Sequence, residues 1–177
     1  MSNTSYKRTI EPALLYGGIV GGAIVLHSII LYTLDASFST YSQIMGYLLP
    51  IILIAIVLYL FRNEYLGGIM TYSQGLGMGA LIMVVAGVIS AVYMYIFLNY
   101  LDPDFMKVVF QQQEEKMLEK GMDEAMIEQA MEMTSKMRSP VVMTVMSFLG
   151  TAIMGVIYSA IVSIFLKKEP KDPFAAV

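Results

Sequence analysis

The sequence predicts an all-α membrane protein with four transmembrane helices and an extracytoplasmic helical hairpin between the third and the fourth. Four stretches contain no charged residue, namely Pro12–Leu34, Ala36–Phe61, Tyr65–Leu101 and Ser139–Leu166. The shortest of them holds 23 residues, enough to cross a hydrocarbon core of ~30 Å at ~1.5 Å per residue. Apolar residues make up 57% of the chain and charged residues 14%, against roughly 45–50% and 25% in soluble domains.

The first two spans are predicted at about 12–34 and 43–61. Pro12 opens the first span, where proline is favoured in the first helical turn. Because its apolar run exceeds the ~7–15 residues of a signal-peptide core, we expect a retained anchor rather than a cleaved signal. Pro50 lies inside the second span, and its missing N–H predicts a kink there.

The third uncharged stretch is too long for one simple span. Gly67, Gly68 and the polar residues that follow predict an interfacial connection over 65–75, which leaves a span at about 76–101. The fourth span, about 140–166, begins with a serine N-cap followed by a proline. We expect residues 1–177 to form a single membrane domain around these spans.

Residues 102–139 are predicted to form the helical hairpin. Asp102 is the expected N-cap of its first helix, Gly121 the glycine that ends it, and Asp123 the cap of the second helix. On that second helix an apolar stripe is predicted within an ~80° arc; it consists of Met122, Met126, Ala130, Met133 and Met137. We interpret the stripe as a contact face that packs against the first hairpin helix or the membrane surface, with a thioether site for Cu(I) as the alternative.

Small residues recur at four-residue spacing inside the spans. They are Gly17, Gly18, Gly21 and Gly22 in the first span, Gly79, Gly87 and Ala91 in the third, and Ser147, Thr151, Gly155, Ser159 and Ser163 in the fourth. In lipid, small residues let helix backbones approach closely, and this approach drives association. We therefore predict that spans one, three and four form the tight centre, while span two mostly faces lipid. The alternative is that these rows line a polar path.

The sequence gives little support for a catalytic role. None of the patterns H-E-x-x-H, G-x-S-x-G or the Walker loop occurs, and the chain has no cysteine. His27, the only histidine, is a candidate functional residue because it lies inside a span, although a hydrogen bond to a neighbouring helix also explains it. We expect no catalytic residue, no metal and no cofactor. The net charge of −3 argues against a nucleic-acid partner.

The basic residues set the expected orientation. Lys7, Arg8, Arg62, Lys167, Lys168 and Lys171 flank the spans on the side that holds both termini. By the positive-inside rule this side is cytoplasmic, and the hairpin lies outside.

Three segments together resemble a known family. They are Tyr72–Gly79, which leads into the third span, Tyr100–Phe105, which closes it, and Gly121–Met133, which precedes a proline-started last span. This order is similar to the small bacterial four-span membrane proteins grouped as domain of unknown function 4199. The resemblance implies a multi-pass protein of the bacterial inner membrane and brings no catalytic residues.

The function predicted from these observations is that of a non-catalytic integral membrane protein acting through helix–helix and loop-mediated interactions. The expected partners are membrane lipid, further copies of the chain or other membrane proteins. The alternative is a small transporter or channel subunit that works as an oligomer, because four uncharged spans leave little room for a pore.

Overall fold

A computed structural model describes the backbone of residues 2–135 and 139–168 and the side chains of residues 10–134 and 139–168. Six α-helices follow one another along this part of the chain: α1 (Ser2–Thr33), α2 (Thr40–Glu64), α3 (Tyr72–Ile96), α4 (Phe105–Glu119), α5 (Glu124–Ser135) and α6 (Pro140–Leu166). A π-helical segment, Phe97–Leu101, extends α3. Over the described residues there is no β-strand, only an isolated bridge between Met70 and Lys168. The predicted all-α class is confirmed.

Four helical segments are long and apolar enough to cross a membrane: Ile10–Thr33, Thr40–Glu64, Tyr72–Leu101 and Pro140–Leu166. The protein is therefore a multi-pass integral membrane protein, with the helices α4 and α5 between its third and fourth spans. Its contacts divide it into two compact units. The first comprises residues up to 90 together with those from 148 onward, and the second comprises residues 91–147. That both act as one membrane domain stays a prediction.

Local capping fixes where α2 and α3 begin. The hydroxyl of Ser39 accepts a hydrogen bond from the Ser42 N–H at 3.1 Å, which caps α2. At the start of α3, the Thr71 N–H donates to Oε1 of Gln74 at 2.9 Å, and the Gln74 N–H donates to Oγ1 of Thr71 at 3.3 Å. This reciprocal pair is a capping box. The capping box explains why α3 begins at Tyr72. The sequence had predicted that the span begins at about residue 76.

The buried core of the first unit draws on α1, α2 and α3. Its fully buried side chains include Val20 on α1, Ile54 and Leu58 on α2, and Ile82 on α3, each 0% exposed. The prediction that the second span mostly faces lipid is therefore wrong for the second half of α2. A uniformly apolar helix gives no contrast between buried and lipid-facing positions, so its sequence did not mark this face.

The second unit contains the helical hairpin. Gly121 adopts a left-handed φ of +69° after α4, and Oδ1 of Asp123 accepts a hydrogen bond from the Ala125 N–H at 3.2 Å at the start of α5. Both predicted caps are thus confirmed. The prediction that Asp102 caps the first hairpin helix is wrong, because α4 begins only at Phe105, directly after Asp104. Asp102 instead closes the π-helical segment, where its N–H donates to the Phe97 carbonyl at 2.9 Å.

Truncating a buried isoleucine of α2 should destabilise the protein more than truncating an exposed one. We expect Ile54→Ala to lower the free energy of unfolding by about 2 kcal/mol, the lower end of the range for such changes, because in lipid mainly packing is lost. Ile56→Ala, at a position 51% exposed, removes the same atoms and should cost far less. Reversible unfolding in mixed detergent micelles measures both. Equal losses would contradict the assignment of α2 to the core.

Candidate functional site

Helices α3 and α6 of the first unit meet along a row of small residues. Each step of four residues forward along α3 matches a step of four back along α6, as expected for antiparallel helices in fixed register. The facing positions are Gly75 with Ser163, Gly79 with Ser159, Met83 with Gly155, and Gly87 with Thr151 and Phe148. We call these positions the α3–α6 ladder. The ladder brings together six of the predicted packing residues: Gly79 and Gly87 on α3, and Thr151, Gly155, Ser159 and Ser163 on α6. Gly75, which faces Ser163, was not among the predicted residues.

The ladder leaves no room for a side chain at Gly75 or Gly79. A Cβ atom at Gly75 would lie 2.6 Å from Oγ of Ser163, and a Cβ at Gly79 would collide with the side chain of Ser159. Ser159 is itself fully buried, and its hydroxyl donates to the Gly155 carbonyl at 2.6 Å within α6. Because that hydroxyl is satisfied inside its own helix, the serine acts here as a small packing residue.

Helix α1 uses one of its two overlapping glycine pairs against α3. A Cβ at Gly17 would lie 2.9 Å from the Ile82 carbonyl oxygen, and a Cβ at Gly21 would lie 3.0 Å from Cα of Ala86. At Gly18 and Gly22 a Cβ would meet no described atom within 4 Å. A packing role for this second pair stays a prediction.

Two further predicted packing residues belong to the second unit. Ala91 on α3 is 9% exposed and counts among its buried side chains. Ser147 on α6 is half-buried and takes part in a hydrogen bond or an electrostatic interaction. Their predicted role in helix packing stays a prediction.

A set of polar contacts ties the helix ends of the first unit together. The Tyr16 hydroxyl on α1 donates to Oε2 of Glu64 on α2 at 2.7 Å. Nη1 of Arg62 donates to the carbonyl of Leu166 at the end of α6 at 3.1 Å. The guanidinium also lies 5.0 Å from the centre of the Tyr59 ring, within cation–π range. Sequence reasoning assigned these charges to orientation alone and missed their contacts.

The backbone adds a second tie at the same ends. The Met70 N–H donates to the Lys168 carbonyl at 3.1 Å, and the Lys168 N–H donates back to Met70 at 2.8 Å. Met70 is fully buried. The segment that precedes α3 is thus held to the segment that follows α6 by paired hydrogen bonds, which close the end of the α3–α6 ladder.

The predicted contact face of the hairpin is largely open. Met126 and Met133 on α5 are 58% and 67% exposed, whereas Ile127 on the same helix is 5% exposed. Met122 and Ala130 are half-buried, and Met137 lies outside the described residues. The hairpin therefore buries Ile127, together with Phe110 of α4, and leaves two methionines of the stripe uncovered.

Comparison with known families gives one match. The family described as proteins of unknown function (DUF4199) matches residues 15–168, from early α1 to the end of α6. The chain belongs to the DUF4199 family. No curated protein and no solved structure matches it. This DUF4199 protein is thus an integral membrane protein of unknown role. Within the described part of the chain, no group of three or more His, Cys, Asp or Glu residues is arranged to hold a metal ion.

The α3–α6 ladder predicts opposite effects for one substitution at two glycines of α6. In this DUF4199 protein, Gly155→Ala should destabilise by roughly 1–3 kcal/mol, because the new Cβ would collide with Cβ of Met83. Gly150→Ala should instead stabilise by about 0.4–1 kcal/mol, since a Cβ there meets nothing within 4 Å and alanine favours the helix. Reversible unfolding in mixed detergent micelles measures the change in the free energy of unfolding for both variants. A stabilising Gly155→Ala change would refute the contact.

Proposed function

We propose that this DUF4199 protein is a non-catalytic membrane component that acts by binding other membrane proteins, with the open face of α5 as its main contact surface. The observation that carries the proposal is the exposure of Met126 and Met133 beside a buried Ile127. Within the hairpin, a different side of α5 is buried, the side that carries Ile127. Two large apolar side chains on the remaining side are therefore left for another molecule.

The chemistry of this face suits a protein partner. Methionine side chains are flexible and polarisable, which lets them adapt to the surface they meet. Seven residues separate Met126 from Met133, so they project from nearly the same side of the helix. Glu124 and Glu128 project from the opposite side and are exposed. Because one side of α5 is apolar and the opposite side is acidic, only the apolar side is suited to be buried against a partner.

The packing of the first unit supports interaction over the alternative role as a transporter or channel subunit. Side chains from three helices meet in its core without exposed surface, among them Val20, Leu58 and Ile82. These side chains fill the space where the three helices meet. A packed core of this kind favours an interaction role, and we expect no solute flux when the purified protein is placed in liposomes.

The proposed location is the bacterial inner membrane, with both termini cytoplasmic and the hairpin outside. Two contacts support the view that basic residues gather at one end of the first unit. Arg62 bonds to the end of α6, and Lys168 is bridged to Met70 beside the start of α3. Positive charge gathered at one end of a bundle is typical of its cytoplasmic side.

A photo-crosslinking residue placed on α5 tests the proposed function. With benzoylphenylalanine at Met126 of the full chain in its native membrane, we expect a protein adduct of defined mass. The same probe at Glu128, on the opposite side of the helix, should give little of it. Adding Met133→Glu should remove most of the Met126 adduct, since a buried charge would weaken the interface. Adducts to lipid alone, or equal adducts from both sides, would refute the proposal.

A further inference from the structure

A cavity of about 210 Å³ lies between α1 and α2 of the first unit. Its polar lining includes His27 and Ser28 of α1, Ser37 of the connection and Ser42 of α2, while Gly46 and Pro50 form part of the α2 wall. Ile24, Leu31 and Leu49 supply apolar walls. The cavity thus joins a polar edge near the α1–α2 connection to an apolar interior deeper in the spans.

His27 is the group that makes this cavity unusual. Its Nε2 atom is buried and has no hydrogen-bond partner among the described residues. The ring meets Tyr41 edge-on, with 6.2 Å between ring centres. A buried polar atom without a partner is costly. Less than 1 Å² of Nε2 is accessible, so a ligand that bonds to Nε2, and thereby removes that cost, requires the imidazole to turn toward the cavity.

The other polar groups of the cavity can accept hydrogen bonds. The Ser28 hydroxyl donates to the Ile24 carbonyl at 3.0 Å, and the Ser42 hydroxyl donates to carbonyls of the connection, the closer being Ser37 at 2.6 Å. Their protons are therefore engaged and their lone pairs remain. Pro50 has no N–H to donate to the Gly46 carbonyl one turn earlier. The lining is consequently rich in acceptors.

The lining also restricts the charge of a ligand. None of the residues around the cavity is acidic or basic apart from the imidazole, so a charged ligand would lie in the membrane without a counter-ion, which is unfavourable. The volume is below the ~300–1,000 Å³ of sites for drug-sized molecules. An uncharged ligand with one donor group and a small apolar body meets both limits.

We propose that the α1–α2 cavity binds a neutral hydroxyl-bearing apolar molecule, an alcohol or a phenol, whose hydroxyl donates a hydrogen bond to Nε2 of His27. Such a group can come from two sources. One is a membrane lipid with a free hydroxyl, such as diacylglycerol, and the other is a small phenol that partitions from water. This site is independent of the hairpin contact face, so either proposal can fail without the other.

The single histidine of the chain makes the test direct. Full-length protein labelled with ¹⁵N-histidine is placed in phosphatidylcholine nanodiscs, and the Nε2 signal of His27 is followed during titration with 4-ethylphenol. We expect a saturable shift. Ethylbenzene, which has the same apolar body without the hydroxyl, should leave the signal unchanged. No saturable shift with the phenol, or an equal shift with ethylbenzene, would overturn the proposal.

Two further arms separate the sources and check the location. Nanodiscs doped with diacylglycerol should show the shifted signal without phenol if the source is lipid, and the undoped signal if it is aqueous. Gly46→Leu should abolish the phenol shift by filling the cavity wall. A Cβ at Gly46 meets no atom within 4 Å, so this variant is expected to fold. Persistence of the full shift in Gly46→Leu would place the phenol elsewhere and overturn the proposal.

Discussion

Close backbone approach between α3 and α6 is the constraint on which the rest of the first unit depends. Lipid is as apolar as the helix surfaces, so helices gain little by hiding apolar area from it and must gain by contact instead. Glycine, serine and threonine occupy most positions of the α3–α6 ladder and permit that contact. Its large members are Met83, which fits because Gly155 faces it, and Phe148, which lies against Gly87. The register is therefore set by pairing small residues with larger ones, with little help from polar bonds.

Once the register is fixed, the helix ends come together. The antiparallel pair brings the end of α6 beside the start of α3, where Met70 and Lys168 exchange backbone hydrogen bonds. Arg62 then donates to the Leu166 carbonyl at the end of α6, and Tyr16 donates to Glu64. These bonds satisfy carbonyls and charges that the ends of spans would otherwise leave unpaired. The polar ends and the apolar ladder thus agree on one arrangement of the helices within the first unit.

The features predicted correctly from the sequence are the ones that depend on the membrane environment or on hydrogen bonds between neighbouring residues. Spans are visible because charge is excluded from them, and Gly121 and Asp123 are visible because capping involves only nearby residues. Thr71 with Gln74 formed an equally local signal that was missed. The buried face of α2 was not predictable, since Ile54 and Ile56 are chemically identical and only tertiary packing separates them. Likewise Gly17 and Gly18 each begin a four-residue pair, and the position of α3 decides between them. His27 and Pro50 were noted separately, but their shared cavity exists only once α1 and α2 are placed.

Paired cysteines test the register of the α3–α6 ladder most directly, because the natural chain contains none. A Cβ at Gly75 would lie 3.1 Å from Cβ of Ser163, close to the ~3.5–4.5 Å of a disulfide. We expect rapid oxidative cross-linking of Gly75→Cys with Ser163→Cys. Moving the second cysteine to position 159 shifts the pair by about 6 Å along the helices and should prevent cross-linking. Equal or faster cross-linking of position 75 with position 159 would contradict the ladder and the account built on it.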